Sequence, residues 1–255
     1  NAPLYMNHPY GVPIIGWRHE IEALGLPEAL EFYRRYYAPD NAILVVAGDV
    51  NPEAVFELAK THYGSIAPSN NPPDARPQEP PQLAERRLIY RDARVRQPYL
   101  TRIYMAPQRR TGDQAEAAAL SVLSDVLGGG ITSHLAQTLQ FDEKVALDAG
   151  SFYGATGLDP QGFGVYAVPA EGVSLEEVEA RLDAAIAGFL EDGPDPALLD
   201  RVKTQVRASQ IYALDSQRRR ARRYGTALTT GLTVEDVQAW PEVLQSVSAD
   251  DVMAA

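Results

Sequence analysis

No cysteine occurs among the 255 residues, which excludes disulfides and thiolate metal sites but fits a reducing cytosol and an oxidising periplasm equally well. Histidine is scarce too: His8, His19, His62 and His134 are the whole set of four, and they form no recognisable metal-binding motif. Cations are outnumbered, with 23 Lys and Arg against 34 Asp and Glu and a formal net charge of −11. That balance argues against a nucleic-acid surface, which needs a basic face to displace counterions from phosphate. No apolar run approaches the roughly 18 residues needed to cross a bilayer, so membrane insertion is not expected. No signal peptide is visible, and that says nothing about compartment. What is present is ample apolar material, 45% of the chain, enough for one large packed domain or one and a half smaller ones.

Local patterning divides the chain. From Pro27 the residues Leu30, Tyr33, Tyr36 and Tyr37 recur at helical spacing, and proline suits a first helical turn because its missing N–H has no partner there. Asn41–Ala47 is a short apolar run rich in β-branched residues and reads as a buried strand. Asn51-Pro52 opens the next helix, with Val55, Leu58, Ala59 and His62 on one face and Gly64 placed to stop it. Residues 67–82 hold six prolines and no periodic apolar face, which predicts an extended connector and a domain boundary.

Beyond the connector, Arg86–Asp92, Pro98–Met105, Val145–Tyr153 and Gly162–Pro169 read as strands. Asp113–Leu127 is an alanine- and leucine-rich helix stopped by Gly128-Gly129-Gly130. Ser174 and Glu177 have capping-box spacing before the stripe Leu175, Val178, Leu182, Ile186 and Phe189, and Pro196 opens a further long helix. Strands followed by paired helices imply an α+β fold, with helices packed on one face of a sheet. Ser248 begins a last capped helix, cut short at Ala255 after about two turns, which suggests that the C-terminus is artificial.

Three blocks carry a resemblance. His8–Val50 (HPYGVPIIGWRHEIEALGLPEALEFYRRYYAPDNAILVVAGDV), Leu127–Leu139 (LGGGITSHLAQTL) and Arg201–Ser216 (RVKTQVRASQIYALDS) resemble, in order, segments of the insulinase/pitrilysin family of zinc metallopeptidases. The wording is closest to the bacterial two-chain branch and its zinc-bearing subunit. The resemblance implies repeated domains: 1–66 as the C-terminal part of a first peptidase-like domain, 67–84 as connector, and 85–255 as a second domain truncated at its end. It also implies that the closing strand of that second domain is missing, and the unpaired sheet edge left behind predicts self-association. In that family an inverted zinc motif, H-x-x-E-H, and a further glutamate ligand lie upstream of the part matching His8–Trp17. The chain starts after both, so the resemblance implies no metal or cofactor site here and zinc only in the parent protein.

The family's active second domains grip the substrate carbonyl with an arginine and a tyrosine seven positions apart. A guanidinium and a phenol are suitable donors to a developing oxyanion. The matching positions hold Gln140 and Leu147; the first offers a neutral amide and the second no donor. The resemblance therefore implies that a homologous partner subunit supplies the Arg/Tyr pair, that peptides are the substrates, and that the fragment itself is inactive. A non-catalytic scaffold homologue is the alternative. Family resemblance also raises a periplasmic location.

Other clusters carry less. The glycine triplet lacks a following Lys-Ser/Thr and comes after a helix, so it reads as a helix stop and not a phosphate loop. Gln217–Arg223 (QRRRARR) reads as a solvated charged helix face. His19, Glu20 and Glu22 offer one imidazole with flexible carboxylates, and Asp142 with Glu143 gives no acid/base pair.

Overall fold

The computed structural model describes residues 3–71 and 74–255. Two units emerge: one of residues up to Leu88 with Gln217–Gly225, the other of Ile89–Ser216 with Thr226–Ala255.

The first unit holds α1 (Arg18–Ala23), α2 (Leu26–Tyr36) and α3 (Pro52–Tyr63). Pro27 stands in the first turn of α2, and Asn51 caps α3 by accepting the Ala54 N–H at 2.8 Å, as the spacing predicts. The predicted strand at Asn41–Ala47 is overturned. Its residues run outside any ladder, and Ile43, Leu44 and Val46 are exposed. β-branched composition favours extended backbone, but a strand exists only where a neighbour takes up its hydrogen bonds.

Carboxylates hold this unit to its connector. Glu79 accepts the backbone N–H groups of Met6, Asn7 and His8 at 2.8, 2.7 and 3.1 Å. Asp40 accepts from the backbone of Ser69 and Asn70, each at 2.9 Å, and Asp74 from Arg35 and Tyr36. The N–H donors of Asn7 and Met6 hold the Glu79 carboxyl below its ordinary pKa, since they favour its charged form.

The second unit is α+β. Its sheet contains β1 (Leu100–Ala106), β2 (Ala146–Tyr153) and β3 (Gln161–Pro169) in the order β1-β3-β2, antiparallel throughout. Around it lie α4 (Ala115–Gly128), a π-helical segment at Ala136–Asp142, α5 (Leu175–Asp192), α6 (Pro196–Leu214), the end of α7 (Gln217–Thr229), α8 (Val234–Ser246) and α9 (Ala249–Ala254). The predicted strand at Arg86–Asp92 is also overturned. Leu88, Ile89 and Tyr90 are exposed, and Asp92 closes a turn by accepting the Arg94 N–H at 2.9 Å.

The inward row of β3, Phe163, Val165 and Ala167, joins Ala146 and Ala149 of β2 in the buried core beneath α4 and α5. Arg102 on β1 ties that edge strand to α5, donating to Asp183 at 2.5 Å and Glu179 at 3.3 Å. Ser174 caps α5 through the Glu177 N–H at 3.1 Å, and reciprocal boxes close α8 (Thr233, Asp236) and α9 (Ser248, Asp251).

Glycine sets how closely α4 meets the sheet. A Cβ on Gly128 would stand 2.0 Å from the Ser151 nitrogen and 2.4 Å from the Gly150 carbonyl carbon, both backbone atoms that cannot swing aside. The triplet is therefore divided: Gly128 is the buried last residue of α4, and Gly129 is its cap. Gly128→Ala should lower unfolding stability by about 1–3 kcal/mol, as overpacking does. Gly130→Ala, where a Cβ meets nothing within 4 Å, should stay within about 0.5 kcal/mol; urea melts of both variants check this.

Tyr153, at the end of β2, donates to the Pro107 carbonyl, and burial first, with Glu116 nearby, pushes its phenol up to about 12. A folded pKa above the unfolded value of about 10 means that the native state holds this proton more tightly. Stability from this group is complete below pH 10 and is lost as pH rises from about 10 to about 12. Tyr153→Phe should show a shallower alkaline loss of stability than wild type, measured by urea melts at stepped pH.

Candidate functional site

The segment joining α4 to β2 brings the two positions singled out by sequence to one stretch of strand. Ala136–Asp142 winds as a π-helix, closed by the Glu143 N–H donating to the Thr138 carbonyl at 2.9 Å. Leu139, fully buried, anchors its inner side. Lys144 then adopts φ +58°, a left-handed turn residue, and the Val145 N–H returns to the Leu139 carbonyl at 2.9 Å. That reversal lays the π-helical segment along β2, and Gln140 Nε2 donates to the Ala149 carbonyl at 3.2 Å.

Leu147 stands two residues earlier on the same strand. The register slips between Ala146, opposite Pro169, and Asp148, opposite Val168, so Leu147 is the extra residue of a β-bulge. Its side chain is 60% exposed. Bulges re-aim side chains beside functional sites, and here the re-aimed group is an isobutyl chain. The constellation offers a neutral amide already engaged with backbone and an apolar surface. It has no cation and no hydroxyl with which to stabilise an oxyanion.

Sequence reasoning did not foresee the π-helix or the bulge that place positions 140 and 147. The i to i−5 turn has no residue signature comparable to a cap or a proline; Lys144 in a left-handed conformation gives none either.

The histidines serve local structure. His8 is buried and its Nδ1 accepts the Tyr10 N–H at 3.1 Å, capping a short 3-10 turn. His134 Nε2 lies 3.0 Å from the Ala185 carbonyl, which can only accept, so that nitrogen carries the proton; the ring meets Phe189 edge-on. His19 and His62 are exposed on α1 and α3. Among the described residues no group of three or more His, Cys, Asp or Glu could hold a metal ion. Glu143 lies 3.8 Å from Arg181, and Asp142 is exposed at the end of the π-helical segment.

Residues 24–206 match the family model for the peptidase M16 inactive domain. The chain belongs to the M16 peptidase family. It is 30% identical over 217 residues to the zinc protease PqqE of Helicobacter pylori, covering 83% of this chain and 47% of that protein. A crystal structure of a protease from Helicobacter pylori superposes with a TM-score of 0.87 at 26% identity, covering 98% of this chain and 60% of the other. The first half of the periplasmic protease PqqL from Escherichia coli shares the fold at TM-score 0.74 and 20% identity, over 99% and 56% of the two chains. The M16 chain described here thus spans about half the length of the curated relatives it matches. No helix among the described residues is long and apolar enough to cross a membrane.

If Gln140 acts as a cap on the β2 backbone, Gln140→Ala should cost about 0.5–1.5 kcal/mol of stability, while Leu147→Ala at an exposed position should stay within about 0.5 kcal/mol. Thermal and urea melts of the two variants check the contrast.

Proposed function

We propose that this sequence is part of a zinc-dependent metalloendopeptidase subunit that hydrolyses short or unfolded peptides in a chamber formed with a homologous subunit. In this reading its second unit encloses substrate space and contributes no catalytic donor. The observation that supports it is the state of the Gln140 and Leu147 positions: the amide is bound to the Ala149 carbonyl at 3.2 Å and the bulge presents leucine. An active subunit needs a charged or hydroxylic donor aimed at the scissile carbonyl, so a homologous partner would supply the arginine and tyrosine.

The histidines of this sequence do not suit a zinc site, since His8 and His134 are engaged in local hydrogen bonds and His19 and His62 stand on separate exposed helices. Zinc would be held elsewhere in the parent protein, and this sequence alone is inactive. A periplasmic location belongs to the same reading, because one fold neighbour is a periplasmic protease. So does self-association of the isolated chain: β1 pairs only with β3 among the described strands, leaving one side available to a second copy.

The test is cleavage of a fluorogenic unstructured peptide by the whole protein, by its homologue, and by both together. Activity is expected only in the mixture, with Leu147→Ala changing kcat/KM by less than about twofold. Cleavage by the whole protein alone, at a rate unchanged by the homologue, would overturn the reading. Light scattering of residues 1–255 that stays monomeric at high concentration would remove the self-association.

A further inference from the structure

In the first unit three consecutive backbone donors are aimed at one point. The N–H groups of Met6, Asn7 and His8 converge on a single oxygen, Glu79 Oε2, at 2.8, 2.7 and 3.1 Å. Successive N–H groups turned inward in this way make a concave anion site, a device that captures carboxylates in peptide recognition. Arg86 adds a positive charge, its Nη1 standing 3.7 Å from the other oxygen, Oε1. Between these donors the Glu79 side chain is only 4% exposed.

The donors are held in place by contacts that do not involve Glu79. Arg86 Nη1 donates to the Pro3 and Leu4 carbonyls at 3.1 and 3.2 Å. The turn is closed by the Gly11 N–H donating to the His8 carbonyl at 3.0 Å and by the Tyr10 N–H donating to His8 Nδ1 at 3.1 Å. Tyr5, His8 and Tyr10 pack ring against ring, and a Cβ on Gly11 would stand 2.5 Å from the Tyr5 carbonyl oxygen, so both ends of the loop meet. A receptor built this way keeps its shape when its occupant leaves.

Glu79 is, moreover, an incomplete fit. Its Oε1 is buried without a hydrogen-bond partner among the described residues, and the Arg86 nitrogen at 3.7 Å lies beyond hydrogen-bond range. A buried acceptor left unbonded costs free energy. Tethered to the connector, this carboxylate reaches the turn and stops short of the guanidinium. An untethered carboxylate is free to settle on both.

We propose that the Met6–His8 turn and Arg86 form a carboxylate-binding site, filled from within by Glu79 and able to take the carboxylate of a peptide in its place. The site owes nothing to the peptidase reading and survives its failure.

The experiment is an amide NMR titration of the 255-residue chain and its E79A variant with two probes. N-acetyl-alanyl-alanine carries its one carboxylate at the chain end, and N-acetyl-glutamate α-amide carries its one carboxylate on the side chain; N-acetyl-alanyl-alanine amide and sodium chloride at matched ionic strength are the controls. In E79A saturable shifts are expected at the Met6, Asn7 and His8 amides. Wild type should bind at least about tenfold more weakly, because tethered Glu79 competes at high effective concentration. Adding R86Q to E79A should weaken binding at least about threefold, through loss of a charge-assisted partner. Should E79A lose its native amide pattern, E79Q is read instead, with the same order of affinities expected. Tighter binding of the dipeptide assigns a chain end as the ligand and tighter binding of the glutamate amide assigns a side chain; either carries the proposal. Absence of saturable shifts at the three amides with both probes, equal shifts with the neutral amide or chloride, or equal affinity in wild type and variant would each overturn it.

Discussion

The close approach of α4 to β2 is the constraint on which the second unit depends. Gly128 rests against the backbone of Gly150 and Ser151, and Ser151 Oγ donates to the Ser124 carbonyl at 2.7 Å, so helix and strand are joined by backbone contact and a buried hydrogen bond. Above that contact, Ala117, Ala118 and Ala119 keep the helix thin on its other sides. α6, α8 and α9 can therefore pack around it while it still touches the sheet. A helix packed against a sheet and several helices needs small residues for close approach and large ones to fill the gaps, and α4 combines its alanines with Leu120, Val122, Val126 and Leu127. The fold of the unit follows from that one crowded element.

The first unit is held by different forces. Few of its side chains are buried; Tyr5, His8 and Ala38 are among them, whereas Leu26, Phe32, Tyr33, Phe56 and Leu58 are exposed on helices of clear amphipathic pattern. What orders its connector is a set of carboxylates receiving backbone N–H groups, with Glu79 the most enclosed. Such hydrogen bonds fix local geometry, yet they do not replace the apolar burial that drives folding. Among the described residues, the unit leaves most apolar side chains of its amphipathic helices exposed.

This contrast explains how far the amino-acid sequence was legible. Elements whose signals are local appeared where expected: Asn51, Ser174 and Ser248 cap their helices, Pro27 and Pro196 open theirs, and the runs at 145–153 and 162–169 form β2 and β3. Elements that require a distant neighbour did not. Asn41–Ala47 and Arg86–Asp92 have strand composition and no ladder. Composition fixes what a segment can do, and pairing decides whether it does. The helix Val234–Ser246 escaped notice because Pro241 lies inside it, a residue that ordinarily ends a helical pattern. The family resemblance pointed to positions 140 and 147; the π-helix and the bulge around them arise from how 136–148 folds back on β2.

That return path bears on chemistry. A side chain at position 140 reaches the edge of β2, where Ala149 presents a carbonyl. Glutamine satisfies that acceptor with one of its two amide protons, and its geometry is then set by the strand. A residue meant to grip a substrate carbonyl must instead project its donors away from the protein backbone into the space where the oxyanion forms. The two roles demand opposite orientations of the same side chain. With Gln140 directed to the strand and Leu147 turned outward on the bulge, neither position offers a charged or hydroxylic donor. Substitution at either position is compatible with retention of the fold, because neither contributes to the contact between α4 and β2 on which the unit is built.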